Sequence, residues 1–395
     1  MSAAQVIGLG CRLNIAESER IGEMLAGRPD VVVVNSCSVT AEAVRNTRRT
    51  IRRARRDNPF ARLIVTGCAA ETERAELTAM PEVDELVANG TKLNPSAYGL
   101  PTLASARPRQ LRSSQRTRAF VAIQNGCDHS CTFCIIPQGR GPSRSMAVTA
   151  VLREAETQLE RGAAEIVLTG VDVTSWGADL PGAPALGYLV SAILDHFPEL
   201  ARLRLSSLDG AEIDPLLEEL IADEPRVMPH LHLSLQHGHD LILKRMKRRH
   251  LRRDASDLVA RLRERRPEIA VGADLISGFP TETEEHHRAN VSLVQELGLV
   301  HGHVFPFSPR HDTPASRMPQ LDQGTIAARA AEVRATVSKT RAEWLASLVG
   351  TPLRVLAERD SRGYAENYAR VATPGIAPGT VATIIPTALE DDLLR

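Results

Sequence analysis

Ala119-Phe120-Val121-Ala122-Ile123-Gln124-Asn125-Gly126-Cys127-Asp128-His129-Ser130-Cys131-Thr132-Phe133-Cys134 joins an apolar segment directly to a cluster of thiols. Residues 119–124 read as a buried strand. Cys127, Cys131 and Cys134 follow at C-x3-C-x2-C spacing in a chain with only six cysteines. Three thiolates this close can ligate one inorganic centre, and a four-iron cluster held by three of them keeps one iron open to an outside ligand.

Downstream, strands and helices alternate. Apolar segments at residues 165–170, 202–206, 231–236, 271–276 and 302–307 read as further strands, with helical patterns at 149–161, 187–196, 213–222, 254–265 and 282–297 between them. Six strand-helix units in succession predict a parallel sheet curled into a partial barrel, with its chemistry at the carboxyl ends of the strands. The cysteine loop follows the first strand and so belongs to that face. Other strand ends carry Gly170, Asp172, Ser206, Ser207, Ser234, Gln236, Asp274 and Gly278. These are candidates for holding a polar cofactor, and ordinary turn or core hydrogen bonding accounts for each equally well.

Upstream, one pattern occurs three times: Val6 to Cys11, Val31 to Cys37 and Leu63 to Cys68 each run from an apolar segment into a cysteine. Continuous apolar segments are the mark of strands buried on both faces of a parallel sheet, and a shorter one is expected at residues 83–87. A lone cysteine is usually a small buried hydrophobe. Three at identical strand ends read instead as a second three-thiolate metal site, Cys11, Cys37 and Cys68, where ligands of parallel sheets gather. Asn14 and Asn35 beside it read as polar turn residues.

The net charge is zero, which excludes a chain basic over its whole surface but leaves local patches. Residues 41–56 carry Arg45, Arg48, Arg49, Arg52, Arg53, Arg55 and Arg56 against Glu42. Two readings stand: a solvated helix face, or a surface that neutralises nucleic-acid phosphates. Arg248 and Arg249, with Lys244, Arg245, Lys247, Arg252 and Arg253, form another basic cluster, and residues 101–118 read as a polar, basic linker. Aromatic residues make up 3% of the chain, too few for a large base-stacking platform. No apolar run approaches the roughly 18 residues that span a bilayer, so the expected location is the cytoplasm, where thiols stay reduced. A long helix is expected at 323–349, then a small β domain with strands at 352–357, 364–371 and 380–385.

The sequence resembles the radical-SAM methylthiotransferase family over essentially its whole length. The resemblance rests on Gly126-Cys127-Asp128, Cys131-Thr132-Phe133-Cys134-Ile135-Ile136-Pro137, Gly10-Cys11, Asn35-Ser36-Cys37, Thr66-Gly67-Cys68, Leu231-His232-Leu233-Ser234-Leu235-Gln236, Gly278-Phe279-Pro280 and Phe305-Pro306-Phe307-Ser308-Pro309-Arg310. Gly10-Cys11-Arg12-Leu13-Asn14 and Gly363-Tyr364-Ala365-Glu366-Asn367-Tyr368 are similar to the branch acting on N6-threonylcarbamoyladenosine in tRNA. Ser36 and Asn125 depart from the family's common Thr and Asp, conservatively. The resemblance implies an α/β chain: a flavodoxin-like N-terminal sheet domain (residues 1–100), the linker, a partial (βα)6 radical-SAM barrel (119–349) and an RNA-binding TRAM-like β domain (350–395).

It further implies two [4Fe-4S] clusters. Cys127, Cys131 and Cys134 would hold the one that binds and cleaves S-adenosylmethionine, and Cys11, Cys37 and Cys68 an auxiliary one at which sulfur is delivered. Gly170, Ser207, Ser234, Gln236 and Asp274 become the S-adenosylmethionine contacts, and Arg48, Arg49, Arg52, Arg53, Arg248 and Arg249 the RNA contacts. The implied reaction is methylthiolation at C2 of threonylcarbamoyladenosine next to the anticodon. Its partners are tRNA, a single-electron reductant and a sulfur source, with no membrane. Isopentenyladenosine in tRNA or a ribosomal protein are the alternative substrates. From other classes, a zinc-binding RNA module lacks a fourth ligand at the usual spacing, and an electron-transfer iron–sulfur protein has no need of basic clusters.

Overall fold

The structure, a computed structural model, describes residues 4–100 and 116–395. Most of the linker expected over 101–118, including Pro101, Pro108, Arg107, Arg109 and Arg112, therefore lies outside the described residues. The described chain forms two compact units: the N-terminal sheet together with residues 125–144 and 308–316, and a second unit of residues 116–124, 145–307 and 317–395.

In the first unit, strands Gln5–Gly8, Val31–Ser36, Arg62–Gly67 and Glu85–Leu86 form a wholly parallel sheet in sequence order. All six residues of Val31–Ser36 are buried, because alternate side chains leave opposite faces and both faces are covered. Val32 and Val34 meet Ile51 and Ala54 of the arginine-rich helix Ala41–Asp57, while Val31 and Val33 meet Ile21 and Leu25 on and beside the helix Arg12–Met24. Each such valine contributes about 1.5–3 kcal/mol of burial. Thr40 caps the arginine-rich helix by accepting from the Ala43 N–H at 3.1 Å.

The second unit holds six successive parallel strand positions: Arg118–Ala122, Glu165–Thr169, Leu203–Leu205 continued by Ser207–Leu208, His230–Gln236, Ala270–Ser277 and Leu299–Pro306. The last begins three residues earlier than the expected 302. A break at Ser206 divides the third strand between two sheets and lets the surface curl. Helices Val148–Glu160, Leu186–His196, Pro215–Asp223, Arg252–Arg265, Glu284–Glu296 and Gln323–Ser347 supply the residues that cover its outer face, among them Val151, Ile193, Leu217, Leu258, Leu293 and Val333.

The C-terminal sheet corrects one expectation: residues 364–371 are not one strand. Arg362–Ala365 and Arg370–Ala372 are antiparallel partners, and the chain turns between them with Tyr368 at φ 70°. That turn closes the amino-terminal end of the barrel. Tyr368 lies 4.8 Å from the His230 ring and 4.7 Å from the Arg204 guanidinium, and its hydroxyl accepts from Arg118 at 2.9 Å. Arg204 donates to the Glu366 carbonyl at 3.0 Å, and Arg202 to the carbonyls of Arg354, Tyr364 and Ala365. Acidic Glu390, Asp391 and Asp392 lie at a turn between two further short strands, Leu389–Glu390 and Leu393–Leu394.

Candidate functional site

Three adjacent parallel strands about 4.8 Å apart deliver their carboxyl ends side by side, and a cysteine follows each of the first three strands of the sheet. Cys11 is the N-cap of helix Arg12–Met24, Cys37 follows Ser36, and Cys68 opens helix Cys68–Thr72. Gly10, at φ 88°, sits so close to Cys37 that a Cβ there would lie 2.8 Å from the thiol sulfur, so only glycine fits. Burial pushes the Cys37 thiol up to about 11, and neighbouring Cys68 and Cys11 push the same way.

The second thiol set lies in the same unit. In the loop, Cys127 donates its N–H to the Gly141 carbonyl at 3.1 Å, and the Cys134 N–H goes to the Cys131 carbonyl at 3.2 Å. Asp128 accepts from the Ser143 N–H at 3.0 Å, a loop-shaping role. Helix Ile136–Arg140 begins just after Cys134 and packs on the helix that Cys68 opens; a Cβ on Gly139 would stand 3.2 Å from that of Cys68. The two triplets are thus neighbours within one unit. Segment 308–316 joins them: Ser308 accepts from the Ala41 N–H at 3.2 Å, Ala315 donates to the Thr132 carbonyl at 2.9 Å, and Arg310 pairs with Glu73 at 2.5 Å.

Beneath the thiols runs a buried charged network that the sequence did not disclose. Arg140 reaches Glu17 at 3.0 Å and Asn125 Oδ1 at 2.9 Å, and donates to Asn14; Lys92 reaches Glu17 at 2.6 Å and Asn35 at 3.2 Å. Asn14 and Asn35 are therefore buried members of this network, one in a helix and one in a strand, and not the expected turn residues. Burial alone would raise the Glu17 carboxyl, but Lys92 and Arg140 hold it below the usual range. Burial weighs against the charge of Arg140, yet Cys68 and Glu17 keep its pKa raised. The signal available was weak: Glu17, Lys92 and Arg140 lie far apart in the chain and belong to no repeated pattern.

No disulfide joins any of the six cysteines. The two sets of three sulfur donors suit iron–sulfur ligation, and Ile136 N–H lies 3.4 Å from the Cys134 sulfur, a hydrogen bond of the kind that tunes cluster ligands. The positive charges of Arg140 and Lys92 suit a group held by thiolates.

In the second unit, three of the five expected cofactor contacts meet on the inner face of the barrel. Ser207 lies 2.9 Å from Ser234 and donates to Asp274 Oδ2 at 3.3 Å. His232 Nε2 and His303 Nδ1 approach Asp274 Oδ1 at 3.2 and 3.0 Å. Burial would raise that carboxyl, but hydrogen bonds from His232 and His303 hold it well below the usual range. Neither histidine had been singled out; the alternation His230, His232, Ser234, Gln236 against Leu231, Leu233, Leu235 was the legible signal. Gln236 ends the strand at φ 69° beside a register shift. Gly170 packs against Gln124, whose side-chain oxygen accepts from the N–H groups of Val171 and Asp172.

The expected RNA contacts divide. Arg48 pairs with Glu76 and Arg52 approaches Glu82 at 3.8 Å, whereas Arg49 and Arg53 are exposed one turn apart without an ion pair among the described residues. Arg249 is partly exposed but pairs with Asp209 and Glu212. Arg248 does not suit the expected role: its side chain is 7% exposed, paired with Asp209 at 2.8 Å and donating to the Ser234 carbonyl at 2.8 Å.

Residues 121–294 match the Radical SAM superfamily and residues 3–89 the uncharacterized protein family UPF0004. A threonylcarbamoyladenosine tRNA methylthiotransferase of Rickettsia prowazekii is 42% identical over 378 residues, covering 92% of this chain and 90% of the relative. The chain belongs to the radical-SAM tRNA methylthiotransferase family. A Bacillus subtilis protein of the same name is 32% identical, covering 93% of this chain and 89% of its own. A tRNA-2-methylthio-N(6)-dimethylallyladenosine synthase of Paracoccus denitrificans is 31% identical over 89% of this chain and 85% of its own. Among solved structures, the radical S-adenosylmethionine methyltransferase TsrM of Kitasatospora setae shares the fold, with a TM-score of 0.54 at 18% identity over 76% of this chain and 66% of that one. Membership of the radical-SAM family implies S-adenosylmethionine and a [4Fe-4S] cluster. No helix among the described residues is long and apolar enough to cross a membrane.

Proposed function

We propose that this protein is the tRNA methylthiotransferase that replaces the hydrogen at C2 of N6-threonylcarbamoyladenosine, next to the anticodon, with a methylthio group. The observation that carries this reading is the presence of two three-thiol sets within one compact unit, with the helix after Cys134 packed through Gly139 against Cys68. The substrate follows the relatives, since the 42% identical one is named for threonylcarbamoyladenosine and the dimethylallyladenosine synthase stands at 31%.

Cys127, Cys131 and Cys134 would hold the cluster that binds S-adenosylmethionine, and Cys11, Cys37 and Cys68 a second, auxiliary [4Fe-4S] cluster. When bound, the two supply one electron to S-adenosylmethionine and a sulfur to the substrate carbon. The chain's own work is to bind, orient and balance charge. The thiols surrender their protons on ligation, Ile136 N–H steadies Cys134, and Arg140 and Lys92 offset negative charge gathered at the strand ends. Gly170, Ser207, Ser234, Gln236 and Asp274 remain our assignment for the polar part of S-adenosylmethionine. Arg49 and Arg53 are the strongest of the assigned phosphate contacts. Residues 1–100, 119–349 and 350–395 are the functional divisions, the last TRAM-like, working in the cytoplasm with a single-electron reductant and a sulfur source.

Anaerobic reconstitution should give about eight irons per chain, and replacing Cys11, Cys37 and Cys68 together with alanine should leave about half. A single cluster in the unaltered protein, or stoichiometric zinc, would contradict the two-cluster assignment.

A further inference from the structure

We propose that His303, fixed by Asp274 on the inner face of the barrel, reads the N6 substituent of the target adenosine and accepts a hydrogen bond from its hydroxyl or carbamoyl N–H. This deepens the proposed function and rests on it.

Side chains alternate along the barrel strands, so Leu233, Ala273 and Val304 enter the core while the residues between them face the other way. On that other face Ser207, His232, Ser234, Asp274 and His303 are joined to one another across four strands. The surface they make is a hydrogen-bonding one. An isopentenyl group offers His303 neither donor nor acceptor and displaces the water that would otherwise bond it. Ser207, Ser234 and Asp274 are assigned to S-adenosylmethionine, so the exposed His303 is the member of this face that turns to the substrate, and a threonylcarbamoyl group brings it a hydroxyl, a carboxylate and urea N–H groups. A site built for such groups rejects the analogue that lacks them far more strongly than an apolar pocket rejects an added hydroxyl.

Within the cluster, exposure separates the ligand-facing ring from its supports. The His303 side chain is 66% exposed, against 22% for Asp274 and 9% for His232. Asp274 is anchored by His232 at 3.2 Å and by Ser207 at 3.3 Å, so the oxygen that meets His303 at 3.0 Å is held in place. A ring that gives its one hydrogen, on Nδ1, to this carboxylate keeps Nε2 as an acceptor. The ring therefore has one fixed orientation and one acceptor atom turned away from its support.

The test uses the cluster-loaded enzyme and one tRNA prepared with threonylcarbamoyladenosine, isopentenyladenosine or unmodified adenosine at the target position. Kd is measured for each, with KM and kcat for turnover. The unaltered enzyme should bind the threonylcarbamoyl form at least about tenfold more tightly than the other two. His303→Leu should bring that ratio close to one, raising KM about tenfold while kcat changes little, and His303→Gln, which keeps an acceptor, should restore most of the preference. A His303→Leu enzyme that keeps the full preference overturns the inference and leaves the proposed function standing. An unaltered enzyme that prefers the isopentenyl form overturns both.

Discussion

At Glu165, one carboxylate with no exposed surface meets both Arg202 and Arg204 at 2.8 Å. Burial alone would raise this carboxyl, but Arg204 and then Arg202 bring it down to about 2. Removing one member of such a set leaves uncompensated buried charge, so Glu165→Gln should cost about 3–5 kcal/mol of stability in chemical denaturation. The pH dependence has a definite sign. A carboxylate held below its ordinary 4.5 takes up its proton later in the folded chain, so its contribution is complete above about 4.5 and is lost as pH falls toward about 2. Acid titration of stability should show this loss in the unaltered protein and not in Glu165→Gln; a variant with the same acid profile would contradict the assignment. Arg202, Arg204 and Glu165 sit in strands that the sequence identified, but it could not say that they meet, because 37 and 39 residues separate the partners. Arg140 was hidden for the same reason: its partner Glu17 lies 123 residues away.

The arginine-rich helix Ala41–Asp57 is where the sequence left two readings, and the structure divides it by face. Val44, Thr47, Ile51 and Ala54 fix the buried side, Arg48 and Arg55 are drawn to acids, and Arg49 and Arg53 remain exposed one turn apart. If those two neutralise tRNA phosphates, replacing both with glutamine should flatten the log–log salt dependence of tRNA binding by about 1.4–1.8. An unchanged slope would return this face to plain solvation. Strands were legible because continuous apolar segments can be satisfied only by burial on both faces. Residues 364–371 read as one strand because a β-like composition does not reveal a turn with Tyr368 at φ 70°, held by contacts to Arg118 and Arg204 from far earlier in the chain.

For the whole molecule, periodicity showed where the sheets lie and which strand ends carry thiols. It did not show that residues 125–144, which follow the first barrel strand in sequence, group by contact with the N-terminal sheet. That grouping depends on Gly139 against Cys68 and on Arg140 reaching Glu17 and Asn14, contacts with no periodic signature. It puts both thiol sets in one compact unit, as the proposed reaction requires. The most direct measurement is mass spectrometry of tRNA nucleosides from cells lacking this protein. Loss of 2-methylthio-N6-threonylcarbamoyladenosine, with its unthiolated precursor retained, is the expected result. Persistence of that nucleoside with loss of the isopentenyl counterpart would contradict it.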